Sequence, residues 1–263
     1  MSIDYSLAHG THATPAEGRC AMEWVSHLAG EPHSDEPACV SSVLRAFCTT
    51  LNDGLEARPR QRLRPYLART IGTAGDGLDE ARSWMALDWL IRIYVPAWLS
   101  AAGLIDSADR VNALWSVDSS SSLRPALATL EQTRRETQRL WASTLGAPRI
   151  VARAAPRVAG RAPARQAAWA CAAAAAWSAA RIGIADLRAD KARGLSREIG
   201  GDAAAAIARR ARVGAEESAA PDALQPTIAE LRRSAFALLD RMLPTVALAL
   251  PALSGGRELS SLA

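Results

Sequence analysis

Lysine is all but missing from this chain: Lys191 is the only one among 31 basic residues, and the rest are arginine. Together with a large excess of alanine, that bias reads first as a GC-rich coding signature and only second as guanidinium chemistry. Aromatic residues make up only 5%, and eight of them are tryptophan against three tyrosines and two phenylalanines. The four cysteines are irregularly spaced, which suits a reducing cytosol better than a disulfide framework. The opening stretch MSIDYSLAHGTHATPAEG has neither the basic nor the apolar region of a secretory leader. The longest apolar run, WMALDWLIRIYVPAWL from Trp84 to Leu99, is shorter than the ~20 residues a membrane span needs. Asp88, Arg92 and Pro96 interrupt it as well. The expectation is a cytoplasmic chain that does not enter the membrane. Phosphate loops, G-x-G-x-x-G, G-x-S-x-G, C-x-x-C and H-E-x-x-H are all absent.

What the chain has is helical periodicity nearly throughout, with no sustained alternation of the kind a strand needs. The fold class is therefore all-α, a multi-helix bundle of about eight helices that divides into two lobes. A first helix is expected from Ala16 to Ala29, with Ala21, Trp24, Val25 and Leu28 on one face. The second is expected to begin near Asp35, an N-cap, with Pro37 in its first turn. Val40, Val43, Leu44, Phe47 and Leu51 form its core stripe, and Asn52-Asp53-Gly54 its stop. A third lies within Arg60 to Thr70, limited by Pro65. The fourth, Asp79 to Ala102, is apolar on every side and belongs at the centre, with Trp84, Trp89 and Trp98 all in the core and Asp88 paired to Arg92. Two helices come next, before residue 145, then an alanine helix carrying Trp169 and Trp177, another near 202–220, and a last one from Gln225 to Leu243.

The domain expectation is a flexible arm over 1–15, an N-terminal helical lobe over 16–145 and a basic Pro/Arg-rich linker over 146–165. A C-terminal helical lobe over 166–250 and a disordered tail over 251–263 complete it. The linker belongs to a longer stretch, 137–185, that holds seven arginines and no acid, whereas residues 1–56 hold eight acids and two arginines, a net of −6. Phosphate would suit Arg149, Arg153, Arg157, Arg161 and Arg165, but no aromatic interleaves them as a single-strand platform requires. Docking on the acidic N-terminal third is the simpler expectation.

Two clusters carry the chemistry that is available. Cys20, Glu23 and His27 fall on one flank of the first helix, where a thiol, a carboxylate and an imidazole offer metal ligands or a base-activated nucleophile. The simpler reading is a Glu23–His27 pair beside a half-buried cysteine. The adjoining loop, GEPHSDEPAC, adds Glu31, His33 and Asp35. Its simpler reading is a structural corner in which Gly30 ends one helix and Asp35 caps the next. His9 and His12 reach a metal only if the arm folds back.

The stretches CAMEWVSHLAGEPHSDEPACVSSVLRAFCTTLND, MALDWLIRIYVPAWLSAAGL and LQPTIAELRRSAFALLDRML, with the Ala/Trp-rich segment between the last two, resemble a family of uncharacterised helical proteins from high-GC actinomycetes and their phages. The resemblance covers most of the chain and implies no activity. Cys20, Glu23, Glu31, Ser34, Asp35, Cys39, Asn52 and Asp53 match the family pattern. An aromatic stands in that pattern at His33 and a histidine at Glu36, so this chain departs from it there.

The functional expectation is a non-catalytic partner-binding or regulatory protein, with a protein partner or self-association favoured over nucleic acid and no cofactor. The alternative is an enzyme or metal-binding protein. Its polar site would lie between the first helix, the Gly30–Pro37 loop and the central helix, with Glu23, His27, Glu31, Asp35, Asp88 and Arg92 as catalytic candidates. Cys20, Glu23, His27 and His33 would be its metal candidates.

Overall fold

A polar cap, not the first apolar residue, decides where the first helix starts. In the computed structural model, which describes residues 6–145, the five alanines 168, 172, 175, 176 and 179, and residues 224–244, helix α1 spans Ala21–Ala29. The Cys20 thiol accepts the Glu23 N–H at 3.5 Å while the Glu23 carboxylate accepts the Cys20 N–H at 2.7 Å. This is a capping box with a thiol in the hydroxyl's place. The helix therefore begins five residues later than its apolar spacing suggests. It closes at Gly30, whose φ of 72° is the left-handed conformation glycine adopts without penalty.

Helix α2 spans Ser42–Gly54, so the expected start near Asp35 is corrected. Ser41 is its cap and accepts the Leu44 N–H at 3.3 Å. The segment 35–41 stays non-helical because Glu31, Thr11 and Thr73 hold its groups in a loop. The expected stripe is buried at Val40, Val43, Leu44 and Phe47, and half-buried at Leu51. The third element breaks into α3 (Ala57–Arg60) and α4 (Arg64–Leu67), each leading into a 3-10 turn, Gln61–Leu63 and Ala68–Thr70. Pro65 lacks the N–H that a continuous helix would need there.

The central helix has a defect. Helix α5 (Asp79–Trp89) passes through a π turn, Leu90–Tyr94, into α6 (Val95–Ala101). Pro96 cannot donate to the carbonyl one turn back and its ring crowds that carbonyl, so the preceding turn widens. Trp89 and Trp98 are in the core as expected, but Trp84 is only half-buried. Ile93 is 44% exposed, so the run is not apolar against protein on every side. Gly103 turns the chain into α7 (Ile105–Asn112), which packs along α6, and α8 (Ser120–Leu145) comes after it.

Helix α9 (Gln225–Met242) returns to the bundle against α2, α5 and α6. Trp89 Nε1 donates to Ser234 at 3.0 Å, and Phe236 packs 5.7 Å from the Tyr66 ring. The five described alanines are helical and fully buried, four of them within the main hydrophobic cluster; side chains this small let backbones approach closely. All the regular structure among the described residues is helical. The linker 146–165, Trp169, Trp177, the helix expected near 202–220 and the tail 251–263 lie outside the described residues.

Candidate functional site

Glu23 is fully buried on α1, and a buried carboxylate must find donors or neutralise. It finds three. The Cys20 N–H, the His12 N–H and His12 Nδ1, the last at 2.8 Å, all point to its two oxygens. Because the ionised carboxylate only accepts, Nδ1 carries the hydrogen. Burial pushes the Glu23 pKa up, but the two backbone N–H groups and the imidazole outweigh it and hold the group below the usual carboxylate range.

His12 reaches Glu23 because the part of the expected arm over residues 7–12 folds back onto the helices; residues 1–5 lie outside the described residues. Residues 7–12 lie across α1, α2 and the 3-10 turn as a strap. The Leu7 N–H donates to Gln61 Oε1 at 2.8 Å, and Gln61 Nε2 returns to the Leu7 carbonyl at 3.0 Å. Asn52 Nδ2 donates to the Ala8 carbonyl at 3.0 Å, and the Gly10 N–H donates to Asp53 at 2.9 Å. Thr11 Oγ1 donates to Asp35 at 2.8 Å, and His33 Nε2 to the His12 carbonyl at 3.0 Å. Arg60, buried on α3, braces the far end through the Asn52 and Leu55 carbonyls at 2.8 and 2.7 Å.

Only some of the sequence candidates meet. Glu23, His33 and Asp35 converge on the strap, and Cys20 anchors Glu23. His27 does not pair with Glu23; it is exposed, with its ring 5.3 Å from the Trp24 ring. Asp35 does not cap α2, since its carboxylate serves Thr11. Glu31 accepts the Ala38 and Cys39 N–H groups at 2.7 and 2.9 Å. The Cys39 thiol and these amides depress its pKa. Asp88 and Arg92 pair through two hydrogen bonds of 2.7 and 3.0 Å, and Asp88 also accepts the Val117 N–H at 2.8 Å. They take no part in the Glu23 cluster.

No reactive thiol is presented among the described residues. Burial pushes Cys20 and Cys48 up to about 12, and burial with the neighbouring Glu31 carboxylate raises Cys39. No group of three His, Cys, Asp or Glu residues able to hold a metal occurs among the described residues. A cleft of about 590 Å³ between the starts of α5 and α8, bordered by Glu80, Trp84 and Ser121, contains none of the candidates.

A second polar node escaped sequence reading. Arg82, 1% exposed, binds Asp76 at 2.6 and 2.8 Å, Asp79 at 3.3 Å and the Met242 carbonyl at 3.0 Å. Asp79 in turn accepts from Ser41, the α2 cap. Asp76, Asp79 and Arg82 are near neighbours in sequence, and i, i+3 spacing marks the last two as a helical pair. Only Arg82 is buried, its contact is with α9, 160 positions away, and that leaves no local signal.

No described helix is long and apolar enough to cross a membrane. No family model, no curated protein and no solved structure matches the chain.

Proposed function

We propose that the chain is a non-catalytic helical protein that binds or regulates a partner. The supporting observation is how the Glu23 cluster is used. The side chains of Glu23, His33, Asn52, Asp53 and Gln61 are directed at backbone groups of a non-helical segment, residues 7–12, and both Glu23 oxygens already have donors. Gripping main chain in this way is peptide-binding machinery, whereas a general base or metal ligand needs a free lone pair facing a substrate. A protein partner fits this better than nucleic acid. A cytoplasmic setting is part of the proposal, supported by the free thiols of Cys20, Cys39 and Cys48. Membership of the actinomycete and phage family is also proposed, supported by the convergence of Cys20, Glu23, Asp35, Asn52 and Asp53 around one segment.

Elemental analysis of the purified full chain, beside its Glu23→Gln variant, tests the proposal. The expected result is no stoichiometric metal in either and lower stability in the variant. Stoichiometric zinc, iron or manganese that disappears in Glu23→Gln with the fold intact would overturn it in favour of the enzyme or metal-binding alternative.

A further inference from the structure

We infer that the cradle formed by Glu23, His33, Asn52, Asp53 and Gln61 binds a non-helical segment of a partner protein that bends at a glycine, and that the chain's own residues 7–12 occupy it in cis as a competitor. The inference rests on the partner-binding reading above and names the partner's chemistry.

Three observations carry it. The first is the mode of contact. Side chains meet the N–H and carbonyl of Leu7, the carbonyl of Ala8, the N–H of Gly10, and the N–H and carbonyl of His12. The Ala8 N–H completes the set on the Arg19 carbonyl at 2.8 Å. Main-chain bonds of this kind hold a peptide that can take the strap's bent path, and the pockets select the side chains. Here the pockets take a leucine (Leu7, 3% exposed, in the core cluster), a hydroxyl on Asp35 and an imidazole on Glu23. Gly10 has a φ of 77°, so the third contact point favours glycine. The partner segment therefore reads Leu, small, any, Gly, Thr or Ser, His.

The second observation is separability. Ala13–Glu17 are all exposed, and their hydrogen bonds close among themselves, from the Ala13 N–H and the Thr14 hydroxyl to the Glu17 carboxylate and from the Glu17 N–H to the Thr14 carbonyl. Lifting the strap therefore breaks no helix. The third is an unmet acceptor. Asn52 is fully buried, and its Oδ1 has no partner among the described residues, although its Nδ2 holds the strap. A buried carbonyl without a donor is costly, so a segment that brings one there binds better, contact for contact, than the strap does. The strap compensates by being tethered, at an effective concentration on the order of millimolar.

The test uses the full chain and a fluorescein-labelled peptide, Ser-Leu-Ala-His-Gly-Thr-His-Ala-Thr, monitored by polarisation. Leu7→Asp, which expels the strap's anchor, is expected to bind it saturably and at least tenfold more tightly than the wild type. Adding Asn52→Ala and Gln61→Ala to Leu7→Asp is expected to remove that binding. A folded Leu7→Asp chain that ignores the peptide, or that binds a scrambled version equally, overturns the inference. If Leu7→Asp does not fold, hydrogen exchange in the wild type decides. The Gly10 and His12 amides are expected to exchange at least a hundredfold faster than that of Val25 in α1, and equal protection overturns the inference. Micromolar dimerisation of the wild type that Leu7→Asp abolishes would overturn it in favour of a second copy as the occupant. A failed peptide experiment with metal-free protein leaves the non-catalytic reading standing, whereas a metal on Glu23 sinks both.

Discussion

Arg82 on α5 donates through Nε to the carbonyl of Met242, the last residue of α9, at 3.0 Å, while its other nitrogens hold both oxygens of Asp76. One fully buried guanidinium thus ties the loop before α5 to the end of a helix 160 positions away.

Removing that cation leaves Asp76, Asp79 and the Met242 carbonyl without their shared donor. Arg82→Leu is expected to cost about 1–3 kcal/mol, chiefly for leaving the Met242 carbonyl and two part-exposed carboxylates without that donor. Asp76→Asn should cost much less, because Asp76 is 23% exposed and the amide oxygen still accepts. Urea denaturation of the two variants checks the order; equal losses would contradict it.

Glu23 has a pKa below its ordinary value, so its contribution is present above the unfolded-state pKa and is lost as pH falls through the folded one. Asp76, depressed by its hydrogen bonds to Arg82, adds to the same window. Wild-type stability should therefore decline from about pH 4.5 downward. Glu23→Gln should be less stable at pH 7, by about 1–3 kcal/mol, with a flatter curve below pH 4.5. Melting curves at pH 7, 5, 4 and 3 read the difference directly.

Asp88→Ala should cost more than Arg92→Ala. The carboxylate satisfies both Arg92 and the Val117 N–H, and its loss orphans a backbone donor, at about 1–3 kcal/mol. Arg92 is 36% exposed, so its half of the pair contributes under about 1 kcal/mol. Thermal melts of both variants, with Asp88→Asn as an isosteric control, give the ranking.

Gly18 and Gly10 both have positive φ, of 133° and 77°, but only Gly18 is crowded. A Cβ there would stand 3.1 Å from both the Ala8 Cβ and His12 Nε2, whereas at Gly10 it meets nothing within 4 Å. Gly10→Ala should lose only the conformational preference, about 1–2 kcal/mol. Gly18→Ala should lose more and also loosen the strap, seen as faster exchange of the His12 amide.

Helical class, the core stripe of α2 and the Asp88–Arg92 pair were legible because each depends on spacing within one helix. The Cys20 and Glu23 positions were visible too, but the spacing points to the wrong partner. His27 lies one turn along α1, so local geometry favours it. The chain instead brings back His12, whose long-range contact leaves no periodic trace. Asp35 misleads for a related reason: an aspartate before an apolar stripe resembles a cap, yet Ser41 takes that role because Asp79 and Thr73 hold it from other segments. The Arg82 node needs α9 in place before it can be read at all.

The π turn at Leu90–Tyr94 changes how the central helix should be aligned. Across it, same-side neighbours lie five residues apart: the Trp89 and Tyr94 rings are 5.4 Å centroid to centroid, while Tyr94 and Trp98, four apart, are at 6.3 Å. A π turn is one residue more than an α turn over the same rise, and so has the form of a single-codon insertion that the helix absorbed without rotating its C-terminal half. Deleting Ile93, the exposed residue of the turn, together with Pro96→Ala to restore the missing donor, should let α5 and α6 merge into one unbroken helix while Trp89 and Trp98 keep their facing. A homologue with a straight central helix should show its one-residue gap here.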